Sequence, residues 1–227
     1  MGRAGAATLS ASNASASLQA ARAGRWPGRV MWGIAAILAV AFAAHAAQRY
    51  LVFTESSYRG FWPNRYWLLL HFSAGSLALL CGLLQFLAAL RQRFPDAHRV
   101  TGRVYLCAVA LGAISAFYLS FHSVIGWTFG VATFFLGCAW VATTSMAFIA
   151  IRNQQIEAHR EWMIRSYVLT FAFVTFRLLL VSPLFADTGT RLERFTAFLW
   201  MSWTLPLLAA EVLLQWRRCT GSRRRPG

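Results

Sequence analysis

The sequence predicts an all-α integral membrane protein of six transmembrane helices, with spans two to five as a repeated two-helix unit forming a central bundle. Three observations predict this. Of 227 residues, 58% are hydrophobic and 13% charged, with 18 Phe and 10 Trp, too apolar a mixture for a soluble domain of this size. Six apolar stretches approach the ~20 residues that a helix needs to cross a bilayer. A polar phrase also occurs twice, "DAHRVTGRVY" at 96–105 and "EAHREWMIRSY" at 157–167, each leading into an apolar stretch.

Residues 1–29 hold Ala, Ser, Gly and Arg without an acid, the composition of a disordered basic cytoplasmic tail. The membrane domain follows at 30–216, with its core at 66–186. Its first span is residues 30–47, where "AFAAHAAQ" also offers an A-x-A signal cleavage site; cleavage would leave five spans. The second span, 66–90, carries His71 about 7.5 Å below its end at ~1.5 Å per residue, and Gln85 almost four turns further on. The third, 104–121, is short and is expected to begin in the polar phrase before it. The fourth is 124–151. The fifth, 166–186, holds Arg177 and is expected to end at Pro183. The sixth, 195–216, contains Glu211, the one acid in any span, and a basic cytoplasmic tail at 217–227 closes the chain.

All 22 basic residues are Arg, against seven acids. Sixteen fall on one side when the N-terminus is placed in the cytoplasm, and five on the other. By the positive-inside rule both termini face the cytoplasm across the inner membrane. The +15 charge lies beside apolar spans with no soluble domain to carry a nucleic-acid groove, so the expected partner is the bilayer with its anionic headgroups, and no nucleic acid. Cys81, Cys107 and Cys138 lie in spans and read as small core residues. Near-absence of intramembrane acids argues against proton-coupled carriers and cation channels. The sequence carries no signal of oligomeric state.

In the two phrases, Asp96 and Glu157 are expected to cap helix starts, where a carboxylate meets orphan N–H groups and the positive end of the dipole. Arg99, Arg160, Arg103 and Arg165 suit phosphates at the headgroups, and Tyr105 and Tyr167 an interfacial position. None of this needs His98 or His159. Parallel topology of the two units would bring these imidazoles together. Three arrangements then compete: a haem iron between the rings, a metal held by both rings with Asp96 and Glu157, and a hydrogen-bonded cluster without cofactor.

At the other end, Arg177 lies near the level of His71, with no acid in reach. An unpaired Arg near the membrane centre costs at least about 2.5–3.5 kcal/mol. Its expected counter-charge is a phosphate, a haem propionate, or the polar head of a quinone or small anion. His122 closes the third span on the same side.

The segments "HFSAGSLALLCGLLQF", "HRVTGRVY" and "HREWMIRSYVLTFAFVTFRLLL" resemble the bacterial membrane-protein family called domain of unknown function 2306, through His71, Gln85, His98, Arg103, His159 and Arg177 among others. A more distant resemblance is to six-helix di-haem b-type cytochromes. That resemblance implies haem ligand pairs His71 with His122 and His98 with His159. Arg177, Arg103 and Arg165 are the candidate anion or propionate partners. The leading expectation is a haem b or quinone-linked electron-transfer protein. Its alternative is a non-enzymatic carrier or binding protein for a small anionic or amphipathic molecule.

Overall fold

The computed structural model describes residues 26–185 and 187–221, with side chains from 30 to 185 and 187 to 220. Of the expected tails at 1–29 and 217–227, residues 1–25 and 222–227 lie outside the described residues, with Arg3, Arg22, Arg25 and Arg223 to Arg225, while 26–29 and 217–221 are helical. Regular structure among the described residues is entirely helical: α1 (Trp26–Tyr50), α2 (Glu55–Tyr58), a 3-10 segment (Arg59–Asn64), α3 (Arg65–Gln85), α4 (Ala88–Arg93), α5 (Pro95–Phe121), α6 (Trp127–Arg152), α7 (Ile156–Thr170), α8 (Ala172–Val181), a 3-10 turn (Pro183–Phe185) and α9 (Arg191–Gly221). Among the described residues, six stretches are long and apolar enough to cross a membrane: Val30–Tyr50, Glu55–Gln85, Pro95–Phe121, Trp127–Arg152, Ile156–Val181 and Arg191–Thr220. The chain divides at Val40, within α1. The part before it is a unit of its own, and everything below concerns the unit Ala41–Gly227.

Here the bundle interior mixes small and hydroxyl residues with buried Leu, Tyr, Trp and Phe, while many large apolar residues face outward. Ala78, Ala132, Ser115, Ser166 and Ser202 are buried, whereas Leu80, Leu111, Phe135, Leu208 and Val212 are exposed. In lipid the tails are as apolar as Leu, so helices associate through close packing of small residues and interhelical hydrogen bonds rather than by expelling Leu from water. Accordingly α3 packs along α5, α5 along α6, and α6 along α7, with α9 against α6, α7 and α8. Gly82 lets α3 also approach α7: a Cβ there would lie 2.5 Å from the Tyr167 ring.

The third span does begin in the polar phrase, since α5 starts at Pro95 with Asp96 in its first turn. Pro suits that position because the first helical N–H has no intrahelical partner. Neither Asp96 nor Glu157 makes a capping hydrogen bond, however. Asp96 instead pairs with Arg99 at 3.0 Å on an exposed face. Glu157 keeps only its place in the first turn of α7. The cap that does form is at α9, where Thr190 and Glu193 bond reciprocally: Glu193 Oε2 accepts from the Thr190 N–H at 2.7 Å, and the Glu193 N–H donates to Thr190 Oγ1 at 3.3 Å.

Two spans are interrupted. The second ends at Gln85, short of the expected Leu90, with Leu87 extended before α4. The fifth is broken at Phe171, between α7 and α8. Thr170 Oγ1 donates to the Ser166 carbonyl at 2.9 Å, a back-bond of the kind that bends helices.

Candidate functional site

A cavity of about 670 Å³ opens at the end of the bundle where α1, α3, α5, α6, α8 and α9 converge. Its charged lining is Arg49, Arg59, Arg177 and Arg191, from four separate segments, with no Asp or Glu on its wall. The Arg59 and Arg177 side chains make no hydrogen bond or ion pair among the described residues, although the Arg59 backbone N–H donates to the Glu55 carbonyl. Arg49 and Arg191 lie over the rings of Tyr50 and Phe195 at 5.7 and 5.3 Å, and Arg49 Nε is buried without a partner. Arg59 holds φ at 50°, a conformation that costs a side-chain-bearing residue energy and recurs at functional sites. Tyr50, Tyr58 and six Phe supply an aromatic part of the remaining wall, with aliphatic residues and Ser57, Ser123 and Thr133. Phe176 meets Phe129, Phe173 and Phe195 with centroids 5.8–6.1 Å apart.

His71 sits at the floor, half-buried, and also lines a smaller chamber of about 50 Å³ beyond it. Its Nδ1 lies 3.1 Å from the Gly112 carbonyl. A carbonyl only accepts, so Nδ1 carries the proton and Nε2 the lone pair. Phe72 and Phe173 hold the ring edge-on at 5.9 and 5.5 Å.

Past that chamber is a buried hydroxyl cluster. Tyr105, 1% exposed, contacts Ser166 Oγ at 2.7 Å and Thr170 Oγ1 at 2.8 Å. Thr144 Oγ1 reaches Ser166 Oγ at 2.7 Å and donates to the Trp140 carbonyl, while Thr170 receives Trp140 Nε1–H at 2.8 Å. The three hydroxyl–hydroxyl contacts, with the two bonds to the Trp140 and Ser166 carbonyls, draw on only four hydroxyl hydrogens. At least one hydrogen is therefore shared between two acceptors. Tyr105 and Tyr167 are thus not interfacial as expected: the first is inside the bundle, and the second donates to the Leu79 carbonyl at 3.3 Å.

At the opposite end, Gln85 ties α3 to α5, donating to Thr101 Oγ1 at 2.7 Å and the His98 carbonyl at 3.3 Å. His159 Nδ1 is 2.8 Å from the Ala147 carbonyl, which leaves its Nε2 free. His98 lies close enough to feel the charge of His159 and Arg91, and its Nδ1 is buried without a partner.

Residues 68–214 match the family described as "Predicted membrane protein (DUF2306)". The chain belongs to that family. No curated protein and no solved structure matches it. Within this DUF2306 chain, His71, His98, His122, His159, Arg103, Arg165, Arg177 and Arg191 lie inside the matched stretch, and Arg49 and Arg59 precede it.

The sequence-predicted residues divide three ways. His98 and His159 share one end, but Asp96 and Glu157 do not complete a donor set with them: among the described residues no group of three or more His, Cys, Asp or Glu is placed to hold a metal. His71 and Arg177 share the cavity. His122 does not line it; its ring stacks on Tyr118 at 4.1 Å and its Nδ1 donates to the Tyr118 carbonyl. Arg165 is already paired within the chain, with Glu211 at 2.6 Å and Glu161 at 3.7 Å, and Arg103 is exposed. Sequence reasoning missed Arg49, Arg59 and Arg191 as cavity residues. Their only signal was as loop charges that set orientation.

Proposed function

We propose that this DUF2306 protein is a non-enzymatic binding protein or carrier for a small anionic, amphipathic molecule, held in the arginine-lined cavity. The observation that carries it is four Arg lining one cavity without an acid among the lining residues. Fixed cations of one sign in a low-dielectric recess attract an anion, and guanidinium forks suit carboxylate or phosphate. The volume falls in the ~300–1,000 Å³ range of small-molecule sites. A neutral quinone head would leave those charges unmet. The purified protein should gain thermal stability with octanoate, approaching ~2.7 kcal/mol at a hundred times Kd. Arg177→Ala should weaken octanoate binding about tenfold or more, as loss of a charge-assisted bond does. Equal stabilisation of both proteins counts against the cavity as the site.

Both termini are assigned to the cytoplasm of an inner-membrane protein, the cavity opening on the opposite side, and the pairs α3 with α5 and α6 with α7 to a duplicated unit. The Arg bias supports the first and the parallel span order the second. Cys219 is exposed, so a membrane-impermeant thiol reagent should label it only after cells are permeabilised; labelling in intact cells reverses the orientation.

A second reading is favoured by the other end. His98 Nδ1 is buried and unpaired, and the bond from His159 Nδ1 to Ala147 orients Nε2 as a ligand histidine requires. His98 and His159, on separate helices, are the residues that would hold a b-type haem, which would supply one-electron transfer. A Soret band lost in His98→Ala supports this; a colourless protein from haem-supplemented cells removes it.

A further inference from the structure

We infer that the anion held by the arginines carries a hydroxyl at its far end, and that this hydroxyl donates to His71 Nε2. This deepens the cavity reading and rests on it. The Gly112 carbonyl takes the Nδ1 proton, so the ring offers the site an acceptor and no donor. Nε2 has no protein donor and is not among the buried unpaired atoms, so it is open to the space that His71 lines. Ser115 Oγ, 3.4 Å from Nδ1, is engaged with the Gly112 carbonyl at 2.8 Å and approaches the wrong nitrogen. An acceptor between two Phe rings, within an apolar wall, discriminates strongly for a molecule that brings a donor, because one lacking it leaves the nitrogen desolvated and unpaired.

Geometry sets the ligand's length. Phe173 touches His71, and Arg177 stands four residues further along α8, so the two polar groups sit at levels roughly 6 Å apart along that helix. The wall between is Phe173 and Phe176, which suits a hydrocarbon and excludes a second charge. A medium-chain ω-hydroxy acid has this pattern: carboxylate, apolar middle, terminal hydroxyl.

Affinities of octanoate, 8-hydroxyoctanoate and 8-methoxyoctanoate are compared on the full chain in a non-ionic detergent. The hydroxy acid is expected to bind about 3- to 10-fold tighter than octanoate. The methoxy acid, an acceptor only, should lose that gain, and the ratio should collapse toward one in His71→Phe. Octanoate binding equal to or tighter than the hydroxy acid, or a gain that survives methylation, overturns the inference while the anion site stands. Failure of all three to bind overturns both. Should His71→Phe not fold, the methoxy comparison on the unaltered protein decides alone.

Discussion

Gly130→Val is expected to leave little folded protein in detergent, and Gly130→Ala to cost roughly 1–3 kcal/mol of stability, the range for forcing atoms into a packed site. Gly130 lies in the first turn of α6, which passes over the last turn of α5. A Cβ there would overlap the Ser120 carbonyl oxygen and stand 3.3 Å from the Ser120 carbonyl carbon and from Ser123 Cβ. The obstruction is backbone, so no rotamer relieves it. Helices α5 and α6 would have to part, and α5 carries Tyr105 and the Gly112 carbonyl that fix the hydroxyl cluster and His71. Damage at Gly130 should therefore spread to the cavity floor. Gly75 is the control, because a Cβ there meets nothing within 4 Å. Gly75→Ala should be neutral or stabilise by about 0.5–1 kcal/mol, as removal of a helical glycine does. Tryptophan fluorescence on heating reads both variants. A Gly130→Ala midpoint equal to that of the unaltered protein would show that the α5–α6 approach is not tight.

The spans were legible in the sequence because a bilayer imposes length and apolarity on each helix independently of its neighbours. The start of α5 within "DAHRVTGRVY" was legible for the same reason, the apolar run alone being too short. Which face of each span points inward was not legible. Leu80 and Leu83 are equally apolar, yet the first faces outward and the second is buried, and only the small residues Cys81 and Gly82 between them hint at the difference. The breaks at Leu87 and Phe171 leave no mark on hydropathy. Of the cavity, His71 and Arg177 were legible because an ionisable side chain inside a span is expensive wherever it points. Arg49, Arg59 and Arg191 sit at span ends, where an arginine costs nothing unusual, and only folding brings them to one wall. Tyr105 and Ser166, 61 positions apart, have the same character: each alone is an ordinary residue, and their pairing is a property of the bundle.

Arg165→Ala should destabilise the protein by roughly 2–4 kcal/mol, near the loss for breaking a buried ion pair but discounted because Glu211 is partly exposed. The Arg165 side chain is 11% exposed and its guanidinium answers two acids, donating to Glu211 Oε2 through Nε at 2.9 Å and Nη2 at 2.6 Å, with Glu161 alongside at 3.7 Å. It also lies 4.7 Å over the Trp162 ring. Arg218 pairs with Glu161 from the tail of α9 but is 57% exposed. Two cations and two carboxylates thus close a neutral cluster that fastens α9 to α7. Removing Arg165 leaves Glu211 with Gln215 as its hydrogen-bond partner and only the exposed Arg218 charge nearby, and Glu161 with that same cation, which water already screens. Arg218→Ala leaves Arg165 between both acids, so its cost should stay below about 1 kcal/mol, the worth of an exposed pair. The double variant Arg165→Met with Glu211→Met removes both charges of the closer pair and replaces them with flexible apolar chains. It should recover part of the stability lost in Arg165→Ala, because an unpaired carboxylate is costlier than an uncharged contact. Thermal midpoints of the three variants decide this: equal losses for Arg165→Ala and Arg218→Ala would mean that water, and not the buried guanidinium, compensates the two acids.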